Sequence, residues 1–249
     1  MGIIIKSEPE ITAMRQAGKI VATVLEALRL QMKPGMQTEE LDVIAAREVT
    51  RLGAKPSFKG YRGFPANLCV SVNDEIVHGI PGGRVLREDD IISIDFGAIF
   101  HGFQGDAAIT VGMGHISPEA QRLITTTDGA LKAGIAAVRH GARLGDISAA
   151  IQHYAEERGY SVVREYTGHG IGRAMHEDPL IPNFGLPGEG PVLKKGMALA
   201  IEPMVNIGDW RTTLSDNNWT VSTSDGSLSA HFEHTIAVTN GEAEVLTAL

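Results

Sequence analysis

Ile91-Ile92-Ser93-Ile94-Asp95-Phe96-Gly97, followed after a His101-Gly102 turn by Gly105-Asp106-Ala107-Ala108-Ile109-Thr110-Val111-Gly112, decides how this chain is to be read. Both runs are rich in β-branched residues and bounded by turn residues, which marks them as strands. Joined by so short a turn, they form an antiparallel hairpin. In such a hairpin positions 95 and 106 can lie on the same side of neighbouring strands. Both are Asp. Strand interiors disfavour Asp, and an unpaired buried carboxylate costs several kcal/mol. Two carboxylates so placed repel unless a positive charge sits between them. A divalent metal supplies that charge.

Working outward, the same anomaly recurs twice. Glu202 interrupts the apolar run Ala198-Leu199-Ala200-Ile201, and Glu233 lies within Ala230-His231-Phe232-Glu233-His234-Thr235-Ile236. One strand carboxylate is ordinarily solvent-facing or paired with Arg. Four in apolar strand contexts point to a shared partner. His169, in Gly168-His169-Gly170-Ile171-Gly172, has glycines on both sides that leave the backbone free to aim an imidazole. A phosphate-binding loop is the competing interpretation, but the segment has neither a Walker Lys nor a strand-to-helix Gly-x-Gly-x-x-Gly.

Four carboxylates and one imidazole make an oxygen-dominated ligand set. It suits Mn²⁺, Fe²⁺, Co²⁺ or Zn²⁺ better than a thiolate-rich structural zinc site. Two such ions held roughly 3–4 Å apart bring a water between them toward ionisation near neutral pH, which makes it a nucleophile.

Two long helical patterns flank this material. One runs from about residue 9 to 32, opened by Ser7 with Glu10 three residues later, and a shorter helix follows over 38–52. The other starts at Ser117-Pro118-Glu119, runs to about 138, and is followed by a helix over about 145–158. The halves match at a constant offset, Gly35 with Gly141, Leu41 with Ile147 and Gly53 with Gly159. We expect one domain spanning residues 1–249, built as an internal repeat with halves at about 7–112 and 113–249 and the site between them. Residues 198–206, 220–224 and 229–238 complete a mainly antiparallel strand set, with Asp225-Gly226 expected to join the last two as a hairpin. The sum is an α+β fold in which helices cover a strongly curved antiparallel sheet.

Composition narrows the function classes. The single cysteine, Cys69, excludes intramolecular disulfides and Cys-rich zinc modules, and a reducing compartment is the natural setting. A net charge of −8 argues against nucleic acid as a partner. That excess is either a plain acidic surface or partly a metal site awaiting its cations. Lys6, Glu8 and Glu10 cut short any signal-peptide core, Lys6 spoils a myristoylation motif at Gly2, and no apolar stretch approaches membrane-spanning length. A cytoplasmic enzyme without membrane contact is expected.

The segments Ser71-Val72-Asn73-Asp74-Glu75-Ile76-Val77-His78-Gly79-Ile80-Pro81, Gly168-His169-Gly170-Ile171-Gly172, Ile201-Glu202-Pro203-Met204 and Phe232-Glu233-His234-Thr235, together with the Asp95/Asp106 pair, resemble one family over nearly the whole chain. It is the type I methionine aminopeptidases, of the creatinase/prolidase "pita-bread" superfamily. The resemblance implies two pseudo-symmetric halves and a hydrolase that removes the initiator methionine from peptides and nascent proteins whose second residue is small. It implies two divalent ions (Co, Mn, Fe or Zn), Asp95 ligating one, His169 and Glu202 the other, and Asp106 and Glu233 bridging. His78 and His176 become substrate-contacting catalytic residues, with Glu202 counted among the catalytic groups. Tyr61, Phe64, Cys69, Met175 and Trp219 become the methionine pocket, where aromatic walls and a soft sulfur suit a thioether. The partners implied are polypeptide N-termini met by a monomer, with room for a transient contact with the ribosome.

Phe64 and Met175 depart from the commonest bacterial pattern, Tyr and Phe, but stay apolar. Only 33 positions separate His169 from Glu202, too few for the type II insertion. An X-Pro aminopeptidase or prolidase uses the same five ligand types and is the alternative within the fold. A non-catalytic binder of the same fold is the alternative outside it, and the intact ligand set weighs against that.

Overall fold

The computed structural model describes residues 2–249. Its helices begin where the chain supplies caps. Ser7 donates its backbone N–H and its hydroxyl to the Glu10 carboxylate, both at 2.9 Å, at the start of α1 (Glu8–Gln31). After α2 (Thr38–Arg51), α3 (Pro118–Ala137) opens with Ser117 Oγ accepting the Ala120 N–H at 3.1 Å, and α4 (Leu144–Glu156) follows. The two long helices end on extended Met32 and Val138, and three residues beyond each the chain turns at Gly35 and Gly141, whose φ of 90° and 89° is a left-handed conformation that costs glycine little. Each donates its N–H to a leucine carbonyl, Leu86 and Leu193 respectively. All four helices lie within two residues of the bounds the sequence suggests.

The main sheet has nine strands among the described residues: β1 (Lys55–Pro56), β2 (Cys69–Val72), β3 (Ile91–Phe100), β4 (Phe103–Gly112), β5 (Thr167–Gly170), β6 (Glu177–Pro182), β7 (Ala198–Ile201), β8 (Glu233–Ala237) and β9 (Glu244–Val245). Its order is β1-β3-β4-β8-β7-β5-β6, with β2 against β3 and β9 against β8. Every pairing is antiparallel. The β3–β4 hairpin turns on His101 and Gly102, both at positive φ (49° and 77°), the geometry of a two-residue type I′ turn. It is longer than the sequence suggests, reaching Phe100 and Phe103. Asp95 pairs with Ala108 and Gly97 with Asp106, so the two aspartates share a face as diagonal neighbours rather than as a directly opposed pair.

Two expected strands break, and both breaks have a cause. The 198–206 run splits into β7 and Met204–Asn206, because Pro203 has no N–H to continue a ladder. The 229–238 run splits at Phe232 into Ser229–His231 and β8, and Phe232 donates its N–H to Pro203 O. The parts before and after each break pair in different sheets, so both chains bend together beside Glu202 and Glu233. The hairpin expected at Asp225-Gly226 does not form. Val221–Thr223 pairs instead with Thr212–Leu214 and Glu75–Val77, while Ser229–His231 joins Met204–Asn206. The Asp225 carboxylate accepts the Asp209 and Ser227 N–H groups, which favours a turn between sheets.

Strand alternation divides the two faces of the sheet. Ile92, Ile94 and Phe96 pack with Leu25, Leu28 and Leu41 from α1 and α2. Leu199, Ile201 and Ile236 pack with Leu123, Leu131, Ile147 and Ile151 from α3 and α4. Asp95 and Asp106 therefore point to the face away from α1 and α2. This is the pita-bread α+β fold that the resemblance implies. One close approach sets how near α1 lies: a Cβ on Gly18 would stand 2.2 Å from Leu246 O, and one on Gly105 of β4 would stand 2.9 Å from Gly18 N. Both obstacles are backbone. Gly18→Ala should cost about 1–3 kcal/mol in urea unfolding through overpacking, while Gln16→Gly, at an exposed position of the same helix, should cost about 0.5–1 kcal/mol.

Candidate metal centre

Five adjacent strands, β3, β4, β8, β7 and β5, bring the five expected ligands to one place. Asp95 and Glu233 both pair with Ala108 from opposite sides, so β4 separates them by one strand. Asp106 follows on β4, where its N–H donates to Thr235 Oγ1 at 3.0 Å and its carbonyl accepts the Thr235 hydroxyl at 2.8 Å. That reciprocal bond ties β4 to β8 at the site. Glu202 sits in the break after β7, its side chain 14% exposed toward the cavity. Asp106, His169 and Glu233 are buried.

His169 lies on a strand, its backbone held in the sheet and not free as the flanking glycines suggest. It pairs with Ala200 on one side and Leu180 on the other. The flanking glycines serve close approach: a Cβ on Gly168 would stand 2.4 Å from Ala200 O, and one on Gly170 2.2 Å from Asp178 O. Neither adopts a positive φ. His169 Nδ1 is 2.9 Å from Gly170 O. A carbonyl only accepts, so Nδ1 carries the hydrogen and Nε2 keeps its lone pair for a cation.

The buried polar atoms around this point lack partners. Asp95 Oδ1, Asp106 Oδ1 and Glu233 Oε1 are buried without a hydrogen bond, and so is His231 Nε2. Such orphans are costly unless something unseen satisfies them. Ligand atoms of Asp106, His169 and Glu233 lie within 4.8 Å of one another, and so do those of Glu202, His231 and Glu233. The residues fit a divalent cation.

The electrostatics agree. Burial raises the Asp95 carboxyl to about 7. Burial, then the neighbouring carboxylates, hold Asp106 and Glu233 well above the usual range, and Glu202 likewise through burial and Asp95. Burial lowers His169 to about 4 and His176 and His231 to about 3, so all three rings are neutral. Above about pH 7 the histidines are neutral in folded and unfolded chain alike. The carboxyls then set the slope: the metal-free folded chain holds protons the unfolded chain has lost, so its stability falls as pH rises. Melting the chelated protein between about pH 7 and about pH 8.5 should show that fall, and an added divalent ion should flatten it.

The cavity above these groups has a volume of about 140 Å³. Of the sequence-derived candidates, Tyr61, Phe64, Cys69, His78, His176 and Trp219 line it together with all five ligands. Met175 lies behind that wall, buried in the same apolar cluster. His176 is fixed by Tyr61: the rings stack at 5.4 Å and the Tyr61 hydroxyl is 2.8 Å from His176 Nδ1. His78 stands edge-on to Trp219 and Tyr166, on a backbone at φ 59° that L-residues rarely hold. Cys69 pairs with Asp95 across β2 and β3, and burial keeps its thiol protonated. Phe58 and Arg62 also line the cavity and were not legible in the sequence. They lie in the segment 58–64, whose left-handed Gly60, Arg62 and Gly63 leave no periodic pattern to detect.

A pita-bread sheet with a carboxylate and imidazole cage at its centre defines a metallohydrolase. The chain belongs to metallopeptidase family M24, whose model matches residues 12–240. Divalent-metal use comes with that membership. The chain is 54% identical over 246 residues to methionine aminopeptidase 1 of Bacillus subtilis, covering 98% of this chain and 99% of the relative. It superposes on the crystal structure of the methionine aminopeptidase from Thermotoga maritima with a TM-score of 0.98 and 46% identity, covering all of both chains. A Xaa-Pro dipeptidase from Bacillus anthracis shares the fold at a TM-score of 0.79 and 24% identity, and there the match spans 61% of that chain.

Proposed function

We propose that this chain hydrolyses the N-terminal methionine from peptides and proteins whose second residue is small. The observation that carries this is the cavity itself, which sets an acid and imidazole floor beside a wall of Phe58, Tyr61, Phe64, Cys69 and Trp219. An unbranched thioether fits such a wall. The high identity to methionine aminopeptidases along the full chain supports the same substrate.

Asp95 would hold one divalent ion, His169 and Glu202 a second, and Asp106 and Glu233 would bridge them. Bound there, the ions supply the positive charge that polarises the scissile carbonyl and lowers the pKa of a water toward neutrality. Glu202, part-exposed beside the cavity at the break after β7, takes the proton of the attacking water and returns it to the leaving amine. With Nδ1 engaged by Tyr61, His176 offers Nε2 to the carbonyl oxygen as charge builds there. His78, held from the opposite wall by Trp219 and Tyr166, steadies the scissile peptide unit.

The same reading treats the chain as one catalytic domain of two repeated halves, supported by the matched left-handed turns that follow the long helices at Gly35 and Gly141. It places the enzyme in the cytoplasm as a monomer, acting on nascent N-termini with transient ribosome contact. Among the described residues no helix is long and apolar enough to cross a membrane.

A peptide panel tests the proposal. Met-Gly-Met-Met should be cleaved after Met with added Mn²⁺ or Co²⁺, and Ala-Pro and Leu-Pro dipeptides should not be cleaved. Turnover restricted to X-Pro bonds would make the chain a prolidase instead.

A further inference from the structure

Glu202 is flanked by two imidazoles, one on each carboxylate oxygen. Oε1 lies 3.5 Å from His169 Nε2, and Oε2 lies 3.8 Å from His231 Nε2. His231 is 1% exposed, and its Nε2 is buried with no hydrogen-bond partner. Its placement is rigid. The His231 N–H donates to Thr110 Oγ1 at 2.9 Å, its carbonyl accepts the same hydroxyl at 2.7 Å, and Ser93 Oγ braces Thr110 at 2.8 Å. His231 also pairs with Met204, just past the bend that presents Glu202. None of the roles assigned above uses this ring.

We propose that His231 is a positioning residue for Glu202, donating Nε2–H to Oε2 so that Oε1 is presented to the metal beside His169. This rests on Glu202 being a metal ligand. A carboxylate that holds a cation is ionised and only accepts hydrogen bonds. The tautomer with hydrogen on Nε2 is then the favoured one, and the bond it makes is charge-assisted. At 3.8 Å the contact is longer than a hydrogen bond. Closing that gap takes a small rotation of the part-exposed Glu202 carboxylate. Direct ligation by His231 is the competing arrangement, since Glu202, His231 and Glu233 also come within 4.8 Å of one another. The separation of the two Glu202 oxygens between two rings favours the positioning role.

The test uses the full chain, stripped with chelator and titrated with Mn²⁺ by calorimetry. His231→Leu removes the donor and should weaken metal binding about 10- to 100-fold. His231→Gln keeps an N–H donor and should bind within about threefold of wild type, as expected for a replaced hydrogen bond of modest net strength. Melting of the chelated variants separates this from lost folding. In wild-type protein labelled with 15N-histidine, Zn²⁺ should leave His231 Nε2 protonated, a readout that needs no variant. Unchanged Mn²⁺ affinity in His231→Leu, or loss of the Nε2 proton to the metal, would overturn the proposal. Wild-type protein that takes up no metal would instead overturn the cage assignment on which it rests.

Discussion

Asp95→Asn lowers kcat/KM for Met-Gly-Met-Met by about a thousandfold or more, a loss of about 4 kcal/mol in transition-state stabilisation. Asn keeps the shape of the side chain and cannot ionise, so the change isolates charge. Asp95 is placed for one purpose. Its strand neighbours Ile94 and Phe96 serve the core under α1 and α2, while Asp95 faces Cys69 on one side and Ala108 on the other. Its Oδ1 is buried without a hydrogen bond. The same substitution should raise the melting temperature of the chelated protein, because it removes one of four crowded carboxyls whose ionisation burial opposes. Lower turnover with higher metal-free stability is the signature of a ligand, and a merely structural residue would lower both. Steady-state kinetics and calorimetry on one preparation decide it, and unchanged turnover would remove Asp95 from the ligand set.

His176→Ala lowers kcat by about a hundredfold to a thousandfold, the range for losing one donor to a developing oxyanion, and leaves the metal affinity close to wild type. The two effects separate because His176 contacts the cage without belonging to it. Its ring lies 4.2 Å from that of His169, and its Nδ1 is engaged by Tyr61. Burial and the neighbouring His169 keep it neutral, with a pKa near 3, so it acts as a hydrogen-bond donor over the working pH range. Metal titration by calorimetry beside turnover of the same tetrapeptide makes the comparison. A large loss of metal affinity would move His176 into the cage.

The parts of the fold that were legible were those with strong local signals. Ser7 and Glu10 cap α1, and Gly35 and Gly141 turn the chain after the long helices, because capping and left-handed turns depend on a few residue types. Asp95, Asp106, Glu202 and Glu233 stood out since a carboxylate conflicts with an apolar strand. What was hidden depended on distant pairing. Nothing local to Asp225 says that Val221–Thr223 will join Glu75–Val77, and Pro203 marks its break without saying where the chain goes next. The glycines around His169 were noticed for freedom and proved to serve close packing, a distinction that only the opposing Asp178 and Ala200 carbonyls reveal. His231 looked like an ordinary strand residue beside Glu233. Its unpartnered nitrogen became visible only when the bend at Phe232 set it against Glu202.

The most direct test of the account is anomalous diffraction from crystals grown with Mn²⁺. Two peaks roughly 3–4 Å apart are expected, both bonded within the cage of Asp95, Asp106, His169, Glu202 and Glu233. A cage without anomalous density, in protein that still cleaves Met-Gly-Met-Met, would contradict it.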